Sequence, residues 1–420
     1  MFGHRRRAAA DVAGGRLRVA PPSQPRIQLP DIAAGAMSAN PAAEALVKRR
    51  RVSSDAAVAA AAGDEGDALP PHKSAALSRD VPAESASPAS TAAALAASPH
   101  VVPRPLGPLG AGSPPRVVIW DLDETLIIFN SLLDRSFLPV DCPATARKAF
   151  ARAAPPVLEF REMAAERERL ANAWSTLVLA TCDSHFFFRC LESCESTQLT
   201  DHEADDDGAP LDEHDFDADP LGRLVNQRLP RQEAAEVRAG AGEGAAEPHS
   251  PSAADRARLT AYRLRVAGER YAAGAPLSGA AAEAWHKLYE DTDSFSQRWL
   301  SAGRTAVEEA AAAGFINVLV TAGCLLPTLA KLLLFKLDGL FKAPHAVLSA
   351  RREGKAACFA KITARYGADA RFCVIGDGDE EAAAAYAVKW PLIRISPVFA
   401  EGAVPPHAIT ADVLRSRFDA

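Results

Sequence analysis

The chain has 420 residues and a formal net charge of −6, so no overall excess of positive charge favours direct binding to nucleic acid. It contains no run of 18 apolar residues, which argues against a membrane-spanning helix. Its seven cysteines are scattered and odd in number, which is typical of free thiols in a reducing compartment rather than of a disulfide framework.

The first 115 residues differ in composition from the rest of the chain. They are dominated by Ala, Pro, Ser, Gly and Arg and have almost no aromatic side chains, so we predict a disordered tail over residues 1–115. The basic clusters HRRR (4–7) and VKRRRV (47–52) are typical of nuclear-localisation signals. An organellar transit peptide and a chance basic run are the alternatives. The expected location is the nucleus and the cytoplasm.

Beyond the tail, short apolar runs alternate with helical patterns, apart from one long interruption. The first apolar run, VVIW (117–120), is predicted to be a strand. Because the runs are too continuous for strands with one exposed face, the alternation predicts an α/β fold with a parallel sheet covered by helices on both faces. In chain order the later predicted elements are a strand at 317–321, a helix at 325–337, a strand at 371–377, a helix at 380–388 and a strand at 391–396.

The stretch between the first two predicted strands is mostly helical in pattern. Apolar residues with helical spacing predict one helix over 284–300, and 155–195 is predicted to contain more than one helix. The segments 203–219 and 240–255 are acidic or rich in Gly, Ser and Pro, which predicts loops. The acidic segment lacks a regular ligand spacing closed by Glu, so a solvated loop is favoured over a calcium site.

Two carboxylates follow the first predicted strand. Side chains two residues apart on a strand point to the same side, so Asp121 and Asp123 are expected to be neighbours. Open parallel sheets bind their ligands beyond the carboxyl ends of the strands. Two like charges this close need a positive neighbour, and hard oxygen ligands favour Mg²⁺. The structural alternative is a pair of capping or turn aspartates.

Three further side chains are predicted to lie at the same edge of the sheet. Asp377 follows a predicted strand within GDGDEE, where the flanking glycines allow close approach of backbone and metal. Thr321 ends the strand NVLVT, and its hydroxyl and the following amides can bind a phosphate oxygen. Lys355 opens a helical segment and supplies the positive charge that phosphate chemistry requires. This order of strand ends and helix starts argues against coincidence.

A resemblance to a known family joins these motifs. DxDxT, a strand ending in Thr, a Lys, and GDG followed by acids are together similar to the haloacid-dehalogenase superfamily of aspartate-dependent phosphotransferases. The resemblance narrows to the Eyes absent family and covers residues 116–420. It implies a haloacid-dehalogenase-type, Rossmann-like core at 116–135 and 310–420, with a helical cap inserted at 136–309. The stretches that carry it are WDLDETLIIFNSLL, DSHFFFRCLESCE, FINVLVTAGCLLPTLAKLLLF, EGKAACFAKITARYG and VIGDGDEE.

The resemblance implies a Mg²⁺-dependent protein tyrosine phosphatase that uses aspartate rather than cysteine. Asp121 would attack phosphorus to form an aspartyl-phosphate, while Asp123 would protonate the leaving oxygen and later take a proton from water. Mg²⁺ would be held by the carboxylates of Asp121 and Asp377 and by the backbone carbonyl of Asp123. Thr321 and Lys355 would stabilise charge on the phosphoryl oxygens.

Three other residues are expected to support this site. By resemblance, Glu380 and Glu381 would lie in the outer shell of the metal and orient its water ligands. Thr125 would use its hydroxyl to hold the loop that follows the nucleophile. A phenol leaves more readily than an alkyl alcohol because its pKa, roughly 10, is lower, so the chemistry favours phosphotyrosine without requiring it.

The implied partner is a protein substrate that carries phosphotyrosine. Animal members of the family are also transcriptional co-activators that bind homeodomain proteins, which leaves a transcription-factor partner open here. The tail lacks the tyrosine-rich composition of an animal transactivation region, so the homeodomain partner is not carried over. One alternative is a nuclear co-regulator or scaffold with incidental phosphatase activity. Another is a phosphatase for phosphoserine, phosphothreonine or small phosphate esters. No contact with nucleic acid or membrane is expected.

Overall fold

The computed structural model describes most of the chain beyond the predicted tail. The tail up to residue 113, including both basic clusters, lies outside the described residues, as does most of the segment 240–255. No helix in the described part of the chain combines the length and the apolar character needed to cross a membrane. The described residues are 114–137, 158–191, 196–227, 251–275, 277–342, 344–396 and 404–419.

A parallel sheet forms the centre of the described structure, with five strands in the spatial order β3-β2-β1-β4-β5. Because β1 lies in the middle, it pairs in parallel with β2 on one side and with β4 on the other. The predicted parallel sheet is therefore confirmed. The short strand β3 was not predicted, since three residues are too few to show a periodic pattern. The strands are β1 (Arg116–Trp120), β2 (Ile316–Thr321), β3 (Val347–Ser349), β4 (Arg371–Gly376) and β5 (Leu392–Arg394).

Helices account for most of the remaining described residues. Those between β1 and β2 form the insertion that the sequence predicts, and the others alternate with the later strands. In chain order they are α1 (Asn130–Leu133), α2 (Leu158–Phe186), α3 (Phe188–Leu191), α4 (Pro220–Gln227), α5 (Ala253–Ala273), α6 (Gly279–Phe295), α7 (Trp299–Ala312), α8 (Leu325–Leu334), α9 (Gly354–Tyr366), α10 (Asp379–Val388) and α11 (Ala411–Asp419). Short 3₁₀ turns occur at Glu203–Asp205, Asp338–Leu340 and Pro406–Ala408.

Alternate residues of β1 face the two sides of the sheet, and both sides are buried. Val117 and Ile119 pack in one apolar cluster with side chains of α9 and α10. Val118 and Trp120 pack in a second, larger cluster that includes α8. Each fully buried Val or Leu contributes about 1.5–3 kcal/mol relative to an exposed one, so a strand buried on both faces is held firmly. The predicted cover of helices on both faces is confirmed.

The larger cluster also contains residues of the inserted helices. Trp174 from α2 and Trp285 from α6 belong to the same cluster as Trp120 of the sheet. The predicted boundary between cap and core, at residues 309 and 310, falls within α7. Among the described residues, the insertion therefore shares one hydrophobic core with the sheet. The division into core and cap stays a prediction.

The single helix predicted over 284–300 is wrong, because the structure has two helices there. α6 ends at Phe295, and both Gln297 and Arg298 have positive φ angles, of 55° and 67°. The carboxylate of Asp293 accepts a hydrogen bond from the backbone N–H of Ser301 at 2.9 Å, in the first turn of α7. A helical spacing of apolar residues continues across the break, which is why periodicity alone did not reveal it.

A buried hydrogen-bond chain links the central strand to the insertion. The indole Nε1 of Trp120 donates to Oδ1 of Asn317 at 3.0 Å. The amide Nδ2 of Asn317 donates to the carbonyl of Val307 in α7, also at 3.0 Å. A buried amide that satisfies partners on both sides fixes the register of β1, β2 and α7 together.

We expect Asn317→Ala to lower the free energy of unfolding by about 2–4 kcal/mol, because it leaves the Trp120 N–H and the Val307 carbonyl buried without partners. Urea denaturation followed by circular dichroism measures this change. Trp120→Phe is the matched control background, because it removes the donor in advance. The cost of Asn317→Ala should fall by about 1 kcal/mol there, and an unchanged cost would contradict the proposed link.

Candidate active site

The aspartate pair lies just beyond the end of the central strand. Trp120 is in register with Leu319 of β2 and with Ile375 of β4. Two residues further along the chain from Leu319 and Ile375 are Thr321 and Asp377. They therefore lie at the same edge of the sheet as Asp121 and Asp123. The backbone N–H of Asp121 donates to the carbonyl of Ile375 at 2.9 Å, which continues the pairing past the strand. The sheet thus brings together the ends of three strands that the sequence singled out.

Asp121 is buried and pairs with a lysine from the helix that follows β3. Nζ of Lys355, in the first turn of α9, lies 2.8 Å from Oδ1 of Asp121, and the same ammonium also contacts the carboxylate of Glu381. Burial raises the pKa of Asp121, while the charge and hydrogen bond of Lys355 oppose that rise. Lys355 is itself buried, so its charge acts on these carboxylates with little screening by water.

Asp123 pairs with a different lysine, which the sequence analysis missed. Nζ of Lys331, in α8, donates to Oδ1 of Asp123 at 2.7 Å and to Oδ2 at 2.9 Å. β1 ends at Trp120, so strand alternation does not extend to Asp123. Repulsion from Asp123 contributes to the raised pKa of Asp121. They nevertheless bind lysines from helices on opposite faces of the sheet.

Asp377 and Thr125 meet beside the first aspartate. The hydroxyl of Thr125, which is fully buried, donates to Oδ1 of Asp377 at 3.5 Å, a long hydrogen bond. Burial, followed by repulsion from Asp121, raises the pKa of Asp377 to about 6. Thr125 therefore connects the loop after Asp121 to the end of β4, close to the role expected for it.

Thr321 closes β2 in a tight turn. Its Oγ1 accepts a hydrogen bond from the backbone N–H of Gly323 at 3.1 Å, and its carbonyl accepts one from Ala350 at 2.7 Å. The hydroxyl of Ser349 donates to the carbonyl of Gly323 at 2.7 Å. The hydroxyl of Thr321 thus lies beside the amide of Gly323 at the same edge of the sheet as Asp121.

Of the two glutamates predicted after GDGD, the structure brings Glu381 to the site. Glu381 is buried and contacts Lys355, whereas Glu380 is exposed on the first turn of α10. A Cβ atom at Gly376 would lie 2.6 Å from Cγ of Glu381, so the glycine makes room for this buried side chain. The glycine was expected to admit backbone and metal, and the structure shows that Glu381 uses the space.

Glu124 is a second residue that the sequence analysis did not single out. It has a positive φ of 60°, and its carboxylate accepts hydrogen bonds from the backbone N–H groups of Phe129 and Ser131, at 3.1 and 3.0 Å. The side chains of Asn130 and Ser131 add two more. Burial and repulsion from Asp123 raise the pKa of Glu124 to about 7. Glu124 therefore fixes the loop that carries both aspartates to the start of α1.

Each missed residue left a sequence signal. Lys331 is the charged residue within LLPTLAKLLL, a segment otherwise apolar enough to be buried, and a buried ammonium needs a partner. Glu124 precedes an apolar run and a short helix whose first N–H groups need an acceptor. Neither signal identifies the residue that Lys331 or Glu124 contacts, because both contacts depend on the tertiary fold.

The carboxylates of the site suit a hard divalent cation. Asp121, Asp123, Asp377 and Glu381 are faced by the two lysines, so negative charge is in excess among these residues. The second oxygen of Glu381, Oε2, is buried without a hydrogen-bond partner in the described structure. No group of three or more His, Cys, Asp or Glu side chains in a metal-binding arrangement occurs among the described residues. Mg²⁺ needs only one or two carboxylates, with water and phosphate as further ligands, so the residues fit it.

Three of the described cysteines are poorly suited to act as nucleophiles. Cys182, Cys358 and Cys373 are free and buried, and burial raises the pKa of each thiol, to about 12 for Cys358 and Cys373. A reactive cysteine needs a lowered pKa and access to solvent. The free thiols expected from the sequence are found at these three positions.

The chain is similar to several curated protein phosphatases, and no family model matches it. It is 29% identical over 299 residues to "Protein phosphatase EYA" of Arabidopsis thaliana, an alignment that covers 67% of this chain and 83% of the plant protein. It is 30% identical to "Protein phosphatase eya" of Drosophila melanogaster and to "Protein phosphatase EYA2" of Homo sapiens, over 67% and 69% of this chain.

These alignments cover 34% of the fly protein and 48% of the human one, so the chain spans half or less of those two relatives. The similarity agrees with the α/β fold and the parallel sheet. The fold, the motifs and these relatives lead to one assignment, namely that the chain belongs to the Eyes absent family.

Proposed function

We propose that this chain is a Mg²⁺-dependent protein tyrosine phosphatase of the Eyes absent type that acts through an aspartyl-phosphate. The observation that carries the proposal is the buried carboxylate of Asp121, 2.8 Å from Nζ of Lys355 at the carboxyl edge of a parallel sheet. Asp123, Asp377 and Thr321 lie at the same edge. The printed names of the relatives, all protein phosphatases, support the same reaction class.

In the first step, an oxygen of Asp121 attacks phosphorus as the bond from phosphorus to the leaving oxygen breaks. Asp123 gives its proton to that oxygen, so the product leaves as a neutral alcohol or phenol. Lys355 and the hydroxyl and amides of the Thr321 turn stabilise the negative charge that spreads over the phosphoryl oxygens.

In the second step, water attacks the phosphorus of the aspartyl-phosphate and gives a proton to Asp123. The bond from phosphorus to the Asp121 oxygen breaks, inorganic phosphate leaves, and both aspartates return to their starting states. The same carboxyl group thus acts first as an acid and then as a base.

Mg²⁺ would be held by the carboxylates of Asp121 and Asp377 and by the backbone carbonyl of Asp123, with Glu381 and Glu380 proposed to act from its outer shell. When bound it supplies positive charge that neutralises the nucleophile and the phosphate together. The raised pKa of Asp377 and the buried, unpaired Oε2 of Glu381 support a cation at this place.

We expect Asp121→Asn to reduce hydrolysis of an aryl phosphate on the order of 10⁴-fold, because an amide oxygen is a poor nucleophile. Steady-state release of the phenol measures the rate. Treatment with a chelator should abolish the activity of the unmodified protein, and added Mg²⁺ should restore it.

Asp379→Asn is the matched control for the loss of one carboxylate at this edge. Asp379 lies in the same GDGDEE motif, but its side chain is 92% exposed and pairs with Arg394 at 2.7 Å. This control should keep the wild-type rate. Full activity of Asp121→Asn would refute the mechanism, and full activity in the chelator would refute the role of the metal.

The substrate class is open to a direct comparison. We expect a phosphotyrosine peptide to be hydrolysed about tenfold or more faster than the same peptide with phosphoserine, because the phenol, with a pKa of roughly 10, is the better leaving group. Release of inorganic phosphate from matched peptide pairs measures this ratio. A faster rate on phosphoserine, or on a small phosphate ester, would favour the alternative substrate classes.

Location and protein partners extend the proposal beyond the site. We propose the nucleus and the cytoplasm as the location, supported by the basic clusters HRRR and VKRRRV at 4–7 and 47–52. A transcription-factor partner, and with it a regulatory role in the nucleus, is the remaining proposal. It rests on the family alone, and the peptide comparison does not depend on it.

A further inference from the structure

Lys331 is a buried charge that the proposed mechanism does not use. Lys331 is 8% exposed, and the adjacent residues of α8, Ala330 and Leu332, are both fully buried. Its ammonium donates to both oxygens of Asp123, at 2.7 and 2.9 Å. Lys331 therefore touches the group that carries the proton, whereas Lys355 touches the nucleophile.

Stability alone does not account for the buried pair of Lys331 and Asp123 taken as a whole. Removing an ammonium and a carboxylate from water is costly, and apolar replacements of a buried ion pair are often neutral or stabilising. An apolar side chain would suit the rest of α8, whose other buried residues are Leu, Ala and Thr328. With Asp123 in place, an apolar residue at 331 would leave a buried carboxylate without its partner, so one task of Lys331 is to compensate that charge.

What the lysine supplies is a fixed direction for one carboxylate. A carboxylate bound through one oxygen can still turn about its Cβ–Cγ bond. Two short charge-assisted hydrogen bonds from one ammonium to both oxygens set the plane of the Asp123 carboxyl group. Proton transfer requires the donor oxygen within hydrogen-bond reach of the leaving oxygen, so this orientation bears directly on the rate.

Three aromatic side chains in contact with one another connect the Lys331 ammonium to the inserted helices. Nζ of Lys331 lies 4.0 Å from the ring centroid of Phe129, close enough for a cation–π contact. Phe129 meets Phe335 edge to face at 6.3 Å, and Phe335 stacks on Trp174 at 4.1 Å. Nε1 of Trp174 donates to Oγ1 of Thr292 at 2.7 Å. Trp174 and Thr292 belong to α2 and α6 of the insertion.

We propose that Lys331 is a positioning residue for the phosphatase reaction, which orients the carboxyl group of Asp123 for proton transfer. The aromatic chain through Phe129, Phe335 and Trp174 ties this orientation to the inserted helices. The inference rests on the proposed function, because it assigns Lys331 to the proton carrier of that reaction. The inserted helices then contribute to proton transfer by Asp123, in addition to any effect on substrate access.

The leaving group provides a readout specific to this role. If the Asp123 carboxyl group is wrongly oriented, hydrolysis slows little for a substrate that releases a strongly acidic phenol, because that phenol leaves without a proton. Hydrolysis slows more for a substrate that releases a weakly acidic phenol, because that phenol needs a proton to leave. A purely structural role for Lys331 would instead lower the amount of active protein and reduce all rates by the same factor.

The test compares Lys331→Met with the wild type on phenyl phosphate and on p-nitrophenyl phosphate. We expect kcat/KM, which reports the steps up to departure of the phenol, to fall about 10²-fold on phenyl phosphate and only about tenfold on p-nitrophenyl phosphate. Phe129→Leu should show the same pattern with a loss of about threefold. Equal losses on both substrates, or no loss, would overturn the proposal.

The Asp123→Asn background shows whether Lys331 acts through Asp123. Adding Lys331→Met to Asp123→Asn should change the rate by less than about twofold, since the group to be oriented is already gone. A further tenfold loss in that background would overturn the proposal. If Lys331→Met does not fold, Lys331→Gln, which keeps a polar side chain but no ammonium, takes its place, and the same dependence on the leaving group is required of it.

Lys336→Met is the matched control. Lys336 follows α8 and places its ammonium 4.1 Å from the ring centroid of Tyr289, so this variant also removes a lysine from an aromatic contact. It should keep the wild-type rates on both aryl phosphates. Asp121→Asn separates the two claims: if it is inactive while Lys331→Met is fully active, the positioning role alone fails. If Asp121→Asn is active, the proposed function fails with it.

Discussion

The structure around the end of β1 depends on gathering carboxylates in a place with little water. Asp121 and Asp123 are 7% and 8% exposed, and Asp377 and Glu381 lie beside them. Charges removed from water are tolerated only with compensation by opposite charge or hydrogen bonds. The neighbouring elements provide this compensation, since α8 and α9 each place a buried lysine beside the carboxylates and Thr125 donates a hydrogen bond to Asp377. The absence of a side chain at Gly376 leaves room for Glu381. Much of the architecture near this edge follows from that requirement.

The compensation comes from both faces of the sheet. Lys355 approaches from the helix layer that packs on Val117 and Ile119, and Lys331 from the layer that packs on Val118 and Trp120. The carboxyl groups of the two aspartates are therefore bound by different lysines, although they are two residues apart in sequence. Such separation suits two groups with different tasks, because a change in the surroundings of one need not move the other.

Most of the sheet could be predicted from the sequence because a doubly buried parallel strand has a strong local signal. VVIW, NVLVT and RFCVIG are continuous apolar runs, and their polar ends marked Asp121, Thr321 and Asp377 as members of one site. Lys331, Glu124 and the break after Phe295 were missed for a different reason. Each depends on a partner brought near by the fold or on a backbone angle, and periodicity carries no information about either.

The shared core of the insertion and the sheet has a consequence for how substrates reach the site. A lid that swings open as a rigid body needs an interface that can separate and re-form. Trp174, Trp285 and Trp120 belong to one continuous apolar cluster, so separating α2 and α6 from the sheet would expose the interior of the molecule to water. Such an opening would cost many times the thermal energy. Substrates must therefore reach this edge of the sheet with α2 and α6 in place.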